Sequence, residues 1–163
     1  MTVDELLARE TIRDVLARYC RGIDRRDRDL VARCFHPDAT DDHGTGARPV
    51  DEFLAWCFEL LAGYDSSFHF LGQTVIDLDA SGRAARSETY GIAHHRTAGG
   101  ADHRNLVTGF RYVDDFTAID GVWAIAARVA ITDWSRIDRA DDWWDVPERL
   151  LQGRPGPEDP SYD

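Results

Sequence analysis

The stretch YCRGIDRRDRDLVARCFHPDA, residues 19–39, decides the fold. It closes one helix, opens another and stops it within some twenty residues. Upstream, Leu6, Leu7, Val15, Leu16, Tyr19 and Ile23 recur at three- and four-residue intervals, which is the apolar stripe of an amphipathic helix. Thr2 followed three residues later by Glu5 forms a capping box at its start. The spacing predicts a helix over 3–22. Inside the quoted stretch Asp27 can cap a shorter helix over 28–35, with Leu30, Val31, Cys34 and Phe35 turned inward. His36-Pro37 ends it, because the residue before a proline resists helical geometry.

Working outward, Phe53, Trp56, Cys57, Leu60 and Leu61 make the stripe of a third helix over 50–62, ended by Gly63. After residue 65 the period changes. Segments 67–79, 83–97, 103–118 and 122–135 are rich in Val, Ile, Thr, Phe, Tyr and Trp and read as strands. Asp79-Ala80-Ser81-Gly82, Ala98-Gly99-Gly100 and Asp120-Gly121 separate them as hairpin turns. Three N-terminal helices followed by an antiparallel meander define an α+β domain, a long curved sheet folded against helices around a pocket. One domain is expected over 1–140. A short helix near 142–152 and the acidic, proline-rich tail GRPGPEDPSYD, residues 153–163, follow it.

Composition narrows the chemistry. The chain has 163 residues, 43% of them apolar, and a net charge of −11. A domain of this size can bury a core and still enclose a small cavity. All nineteen basic residues are arginine. Without lysine there is no side-chain amine for a Schiff base and no phosphate-reading lysine of a P-loop. The acidity opposes generic binding to nucleic acid or to an anionic membrane, so neither is expected as a partner. No apolar run approaches a membrane span, MTVDELLARE lacks the regions of a signal peptide, and a cytoplasmic location is the expectation. Cys20, Cys34 and Cys57 lie among apolar neighbours without a CxxC pair and read as buried, reduced thiols. Metal spacing is absent as well. Adjacent residues on a strand point to opposite faces, so His94 and His95 cannot both serve one interior site. Neither metal nor cofactor is expected.

What remains is a set of polar residues in apolar settings. Asp24 lies just past the stripe of the first helix, His69 stands between Phe68 and Phe70, His94 shares an alternating face with Tyr90 and Ile92, and His43 lies in an acidic loop or short strand. A buried aspartate bonded to one imidazole nitrogen fixes the tautomer and raises the basicity of the other nitrogen. Such a base can take a proton next to a carbonyl with no lysine and no metal.

These residues sit in recognisable surroundings. The run quoted above, then DDHG (41–44), the Asp51-Glu52-Phe53 helix, HFLGQ (69–73), AHHR (93–96), DGVWAIA (120–126) and DWSR (133–136) resemble the SnoaL-like branch of the NTF2-like superfamily over about residues 4–136. Within it the chain most resembles scytalone dehydratase and hexachlorocyclohexane dehydrochlorinase. The resemblance implies an α+β cone enclosing a pocket, with Asp24 and His69 as a proton-transfer pair and His94 as the second histidine of the dehydratase. It also implies a departure. At the positions of the dehydratase's two carbonyl-polarising tyrosines stand Ile23 and His43, and its serine and asparagine fall near Phe110 and Tyr112. The implied activity is a cofactor-independent lyase of the dehydratase kind on a small, more apolar, polyketide- or steroid-like substrate. An isomerase, a polyketide cyclase and a non-catalytic ligand-binding protein use the same cone. The expected substrate wall is Tyr19, Ile23, His43, Phe53, Trp56, Phe110, Tyr112 and Trp134. A homo-oligomer, dimer or trimer, is expected because the open sheet exposes one face.

Overall fold

The computed structural model describes residues 1–97, 105–139 and 146–162. The first helix, α1 (Val3–Arg25), starts at the expected capping box: Thr2 N–H donates to Glu5 Oε2 at 2.7 Å and Glu5 N–H to Thr2 Oγ1 at 3.2 Å. It ends at Arg26 in the left-handed region, φ 55°, so the chain turns sharply just after Asp24. Asp27 then caps α2 (Arg28–Ala32), accepting from Leu30 N–H at 2.9 Å. Gly22 is required at this corner, since a Cβ there would lie 2.6 Å from Val31 Cγ2. The third helix, α3 (Val50–Ala62), buries Phe53, Leu54, Cys57 and Leu61.

Six strands form one sheet: β1 (Phe35–Asp42), β2 (Arg48–Pro49), β3 (Ser66–Leu78), β4 (Ala84–Arg96), β5 (Asn105–Ile119) and β6 (Val122–Asp138), in the order β2-β1-β6-β5-β4-β3. The four long strands are the expected meander. Asp120 and Gly121, both at positive φ, make the tight turn between β5 and β6. Two features differ from expectation. The second helix stops at Ala32 and Phe35 already begins β1, which pairs parallel to β6, so the sheet is not wholly antiparallel. Pro37 is accommodated where the ladder is broken: the β1–β6 register shifts between Phe35 and Thr40.

The helix expected near 142–152 is not formed over 146–152. A turn closed by Leu150 N–H on the Pro147 carbonyl stands there, because Pro147 lacks the donor a helix interior needs. Residues 142–145 lie outside the described residues. The tail behind it is strapped to α1. Gly156 N–H donates to the Arg25 carbonyl at 2.6 Å, Arg25 pairs with Asp159 at 3.0 Å, and the Arg21 guanidinium lies over the Tyr162 ring. No helix among the described residues is long and apolar enough to cross a membrane.

The core lies between α1, α3 and the concave face of the sheet. Along β4 that face carries Ala85, Ser87, Thr89, Gly91 and Ala93, all small. Side chains of this size leave room for the helices and a cavity, whereas the bulky Tyr90 and Ile92 project from the other face and are exposed.

Candidate active site

Asp24 and His69 are brought together by the corner after α1 and the start of β3. His69 Nδ1 lies 2.7 Å from Asp24 Oδ1, and His69 backbone N–H donates to Asp24 Oδ2 at 2.9 Å. The carboxylate is therefore gripped at both oxygens. Both side chains are largely withdrawn from solvent, 9% and 7% exposed. With Nδ1 committed to the carboxylate, the imidazole has Nε2 left for a ligand.

His69 borders a cavity of about 180 Å³ between α1, α3 and the concave face of β4, β5 and β6. Of the expected wall, Tyr19, Ile23, His43, Trp56, Phe110 and Tyr112 line it. Phe53 stands behind, its ring stacked on His43 at 4.9 Å and 16°. The Phe110 and Tyr112 rings are 4.5 Å apart, and Phe110 meets the His69 ring at 6.1 Å. Phe110 can lie flat over β4 because position 91 is glycine: a Cβ there would come 2.3 Å from Phe110 Cζ. Burial pushes the Tyr19 and Tyr112 phenols well above their ordinary pKa, which keeps both neutral.

Two expected residues, His94 and Trp134, face away from this cavity. His94 pairs with Phe68 on β3 and Val107 on β5, whereas His69 pairs with Ala93. Cross-strand partners share a face, so His94 is on the convex side with the exposed Phe68. The histidine that does line the cavity is His95, two residues on from Ala93, with its ring edge-on to His69 at 5.4 Å. Burial, and then the neighbouring His69, lower the His95 pKa to about 4, so it is neutral at pH 7. Trp134 is likewise on the convex side. A register shift in the β5–β6 ladder makes it the partner of Gly109, over which its indole lies, and it is 46% exposed. The signal for His95 was present in β4, where the small residues occupy the odd positions that continue to 95.

Beneath the cavity floor lies an ion pair of Arg128, a strand arginine that the sequence offers as a surface ion pair or an anion contact, and it is paired but buried. Arg128 and Asp114 are both 0% exposed and joined by two hydrogen bonds, 2.7 and 2.9 Å. The guanidinium sits in the corner made by the Tyr19 and Tyr112 rings, which stand edge to face, 4.1 and 3.9 Å from their centroids. Burial opposes its charge, and the Asp114 carboxylate more than offsets this, holding Arg128 protonated. The three cysteines are free and buried, and burial raises their pKa to about 12, 11 and 12 for Cys20, Cys34 and Cys57, so none is a thiolate at neutral pH. No cluster of three or more His, Cys, Asp or Glu side chains among the described residues could hold a metal ion.

The chain is thus an open-sided α+β cone with a carboxylate–imidazole pair beside a largely apolar cavity. Residues 4–129 match the SnoaL-like domain family, and the chain belongs to it. It is 27% identical over 133 residues to an uncharacterized protein of Mycobacterium tuberculosis, covering 79% of this chain and 88% of that one. Among solved structures, a type 2 hexachlorocyclohexane dehydrochlorinase superposes with a TM-score of 0.77 at 16% identity, covering 91% of this chain and 99% of that one. A scytalone dehydratase candidate from Novosphingobium aromaticivorans gives 0.75 at 18% identity, with 93% and 100% covered. At such identities the likeness is one of fold.

Proposed function

We propose that this protein is a cofactor-independent lyase of the dehydratase kind, in which His69 removes a proton next to a carbonyl and water, or a similar leaving group, departs from the neighbouring carbon. The observation that carries it is the Asp24–His69 pair, 2.7 Å between Oδ1 and Nδ1, beside an apolar cavity. Asp24 accepts the Nδ1 proton, so the Nε2 lone pair is the base; once Nε2 is protonated, the carboxylate is the counter-ion of the new imidazolium. His95, neutral and next to His69, takes the place first expected of His94 as the second imidazole. The wall of aromatic and aliphatic side chains suits a small, apolar, cyclic substrate of polyketide or steroid character.

A panel of cyclic β-hydroxy ketones, with products identified by mass, tests this. Loss of one water supports the lyase, and an isomer of unchanged mass supports the related isomerase or cyclase. Binding without any product leaves a ligand-binding protein. We further propose that the convex face, where Phe68, Phe70, Tyr90 and Trp134 are exposed, packs against copies of the same chain in a dimer or trimer. A sedimentation mass of one chain would refute that.

A further inference from the structure

A second carboxylate–imidazole couple borders the same cavity. His43 Nδ1 is bonded to Asp41 Oδ1, and Asp41 is 0% exposed, with Oδ2 lacking a hydrogen-bond partner among the described residues. The His43 ring is clamped flat on Phe53 and meets Tyr112 at 6.0 Å. Tyr112 touches Phe110, which in turn meets His69. The two imidazoles therefore stand at either end of one pair of aromatic rings, each with Nδ1 tied to its own carboxylate and Nε2 left over.

We propose that Asp41–His43 is the acid that works against the Asp24–His69 base: His43 Nε2–H gives its proton to an oxygen of a flat, conjugated ring substrate lying across Phe110 and Tyr112, and that oxygen sits about a ring's width from the carbon that His69 deprotonates. This rests on the base assigned above and adds the substrate's second anchor. The C–H bond breaks with its proton going to His69 Nε2. Its electron pair passes through the conjugated ring to the oxygen, where the O–H bond forms as the His43 N–H bond breaks. His69 becomes the imidazolium beside Asp24 as His43 becomes neutral beside Asp41, so the net charge of the cavity does not change. In a cavity of low dielectric that constancy matters, because an uncompensated charge there is costly. In the imidazolium form His43 also supplies the counter-charge that a buried carboxylate requires. His95 does not compete for this role. It stands on the base's side of the rings and is neutral at pH 7.

The test is a comparison of 4-nitrophenol, buffered so that it is un-ionised, with nitrobenzene, which has the same ring and no hydroxyl. The wild-type protein should bind the phenol at least about tenfold more tightly, as expected for a hydrogen bond to a charged group. In ¹⁵N spectra the phenol should shift the His43 ring and nitrobenzene should not. His43→Phe keeps the stack on Phe53 and should bring the two affinities together, and Asp41→Asn should narrow the gap. Equal affinities in the wild type, or a phenol preference that survives in His43→Phe, would overturn the proposal. Failure of the base is read separately: elimination that persists in His69→Ala removes that assignment and leaves the phenol preference untouched.

Discussion

Lowering the pH should weaken the fold through His95 in a way that can be computed. Its pKa is about 4 in the folded protein, lowered by burial and by His69, against about 6.5 in an unfolded chain. Below pH 6.5 the unfolded chain takes up a proton that the folded protein refuses, so stability is lost as the pH falls, and the loss levels off below the folded value near 4. Linkage puts it at about 2 kcal/mol by pH 5 and about 3 kcal/mol by pH 4. Other groups titrate in the same range, so the informative quantity is the difference between the wild type and His95→Leu, which lacks this term. With a urea m-value of about 2 kcal/mol/M, the wild-type midpoint should fall by about 1 M more than the variant's between pH 7.5 and pH 5. Parallel pH profiles for the two proteins would show that His95 titrates freely, and the argument that it is neutral in the cavity would fail.

Three further outcomes follow from the packing. Asp114→Asn strands the buried Arg128 charge, which should cost about 3–5 kcal/mol, or about 10 °C in melting temperature for a chain of this size; the double variant Asp114→Leu, Arg128→Met should recover most of that, and a single variant melting within about 2 °C of wild type would contradict it. Gly91→Ala drives the Phe110 ring off β4, as its Cβ would come 2.3 Å from Phe110 Cζ, and should cost about 1–3 kcal/mol in urea denaturation and abolish 4-nitrophenol binding; unchanged binding would mean that Phe110 is not the floor. Asp159 is held well below the ordinary carboxylate range by the Ser161 hydroxyl and the Arg154 N–H, so the strap on α1 is retained above the ordinary carboxylate pKa and released as the pH falls well below it; Asp159→Ala should release it at neutral pH, seen as faster hydrogen exchange of the Gly156 amide that the Arg25 carbonyl holds, and equal exchange rates in the two proteins would contradict this.

Local signals carried most of the architecture. The Thr2–Glu5 box, the Asp27 cap and the Asp120-Gly121 turn each act over a few residues, and the structure uses all three as read. What sequence alone did not yield depends on pairing between distant segments. β1 was hidden because Phe35 to Asp42 has no apolar alternation and contains a proline, and it becomes a strand only by lying beside β6. His94 was preferred to His95 because it shares a face with the bulky Tyr90 and Ile92 and falls where the resemblance puts the dehydratase's second histidine. A cone reverses this, since its concave side is crowded and takes the small residues. Trp134 was misplaced because one extra residue in the β5–β6 ladder moves it to the other face. The burial of Asp41 and Arg128 was not legible for a similar reason: it follows from the β1–β6 pairing, which sets them side by side.

The central claim is that His69, held by Asp24, is the base. It is tested most directly by the rate of water loss from a β-hydroxy ketone that the wild type turns over, measured beside His69→Ala and Asp24→Asn with folding checked by circular dichroism. Loss of a general base should slow His69→Ala by about 10²- to 10⁴-fold, and Asp24→Asn should fall between that variant and the wild type. Elimination at the wild-type rate in folded His69→Ala would contradict the account.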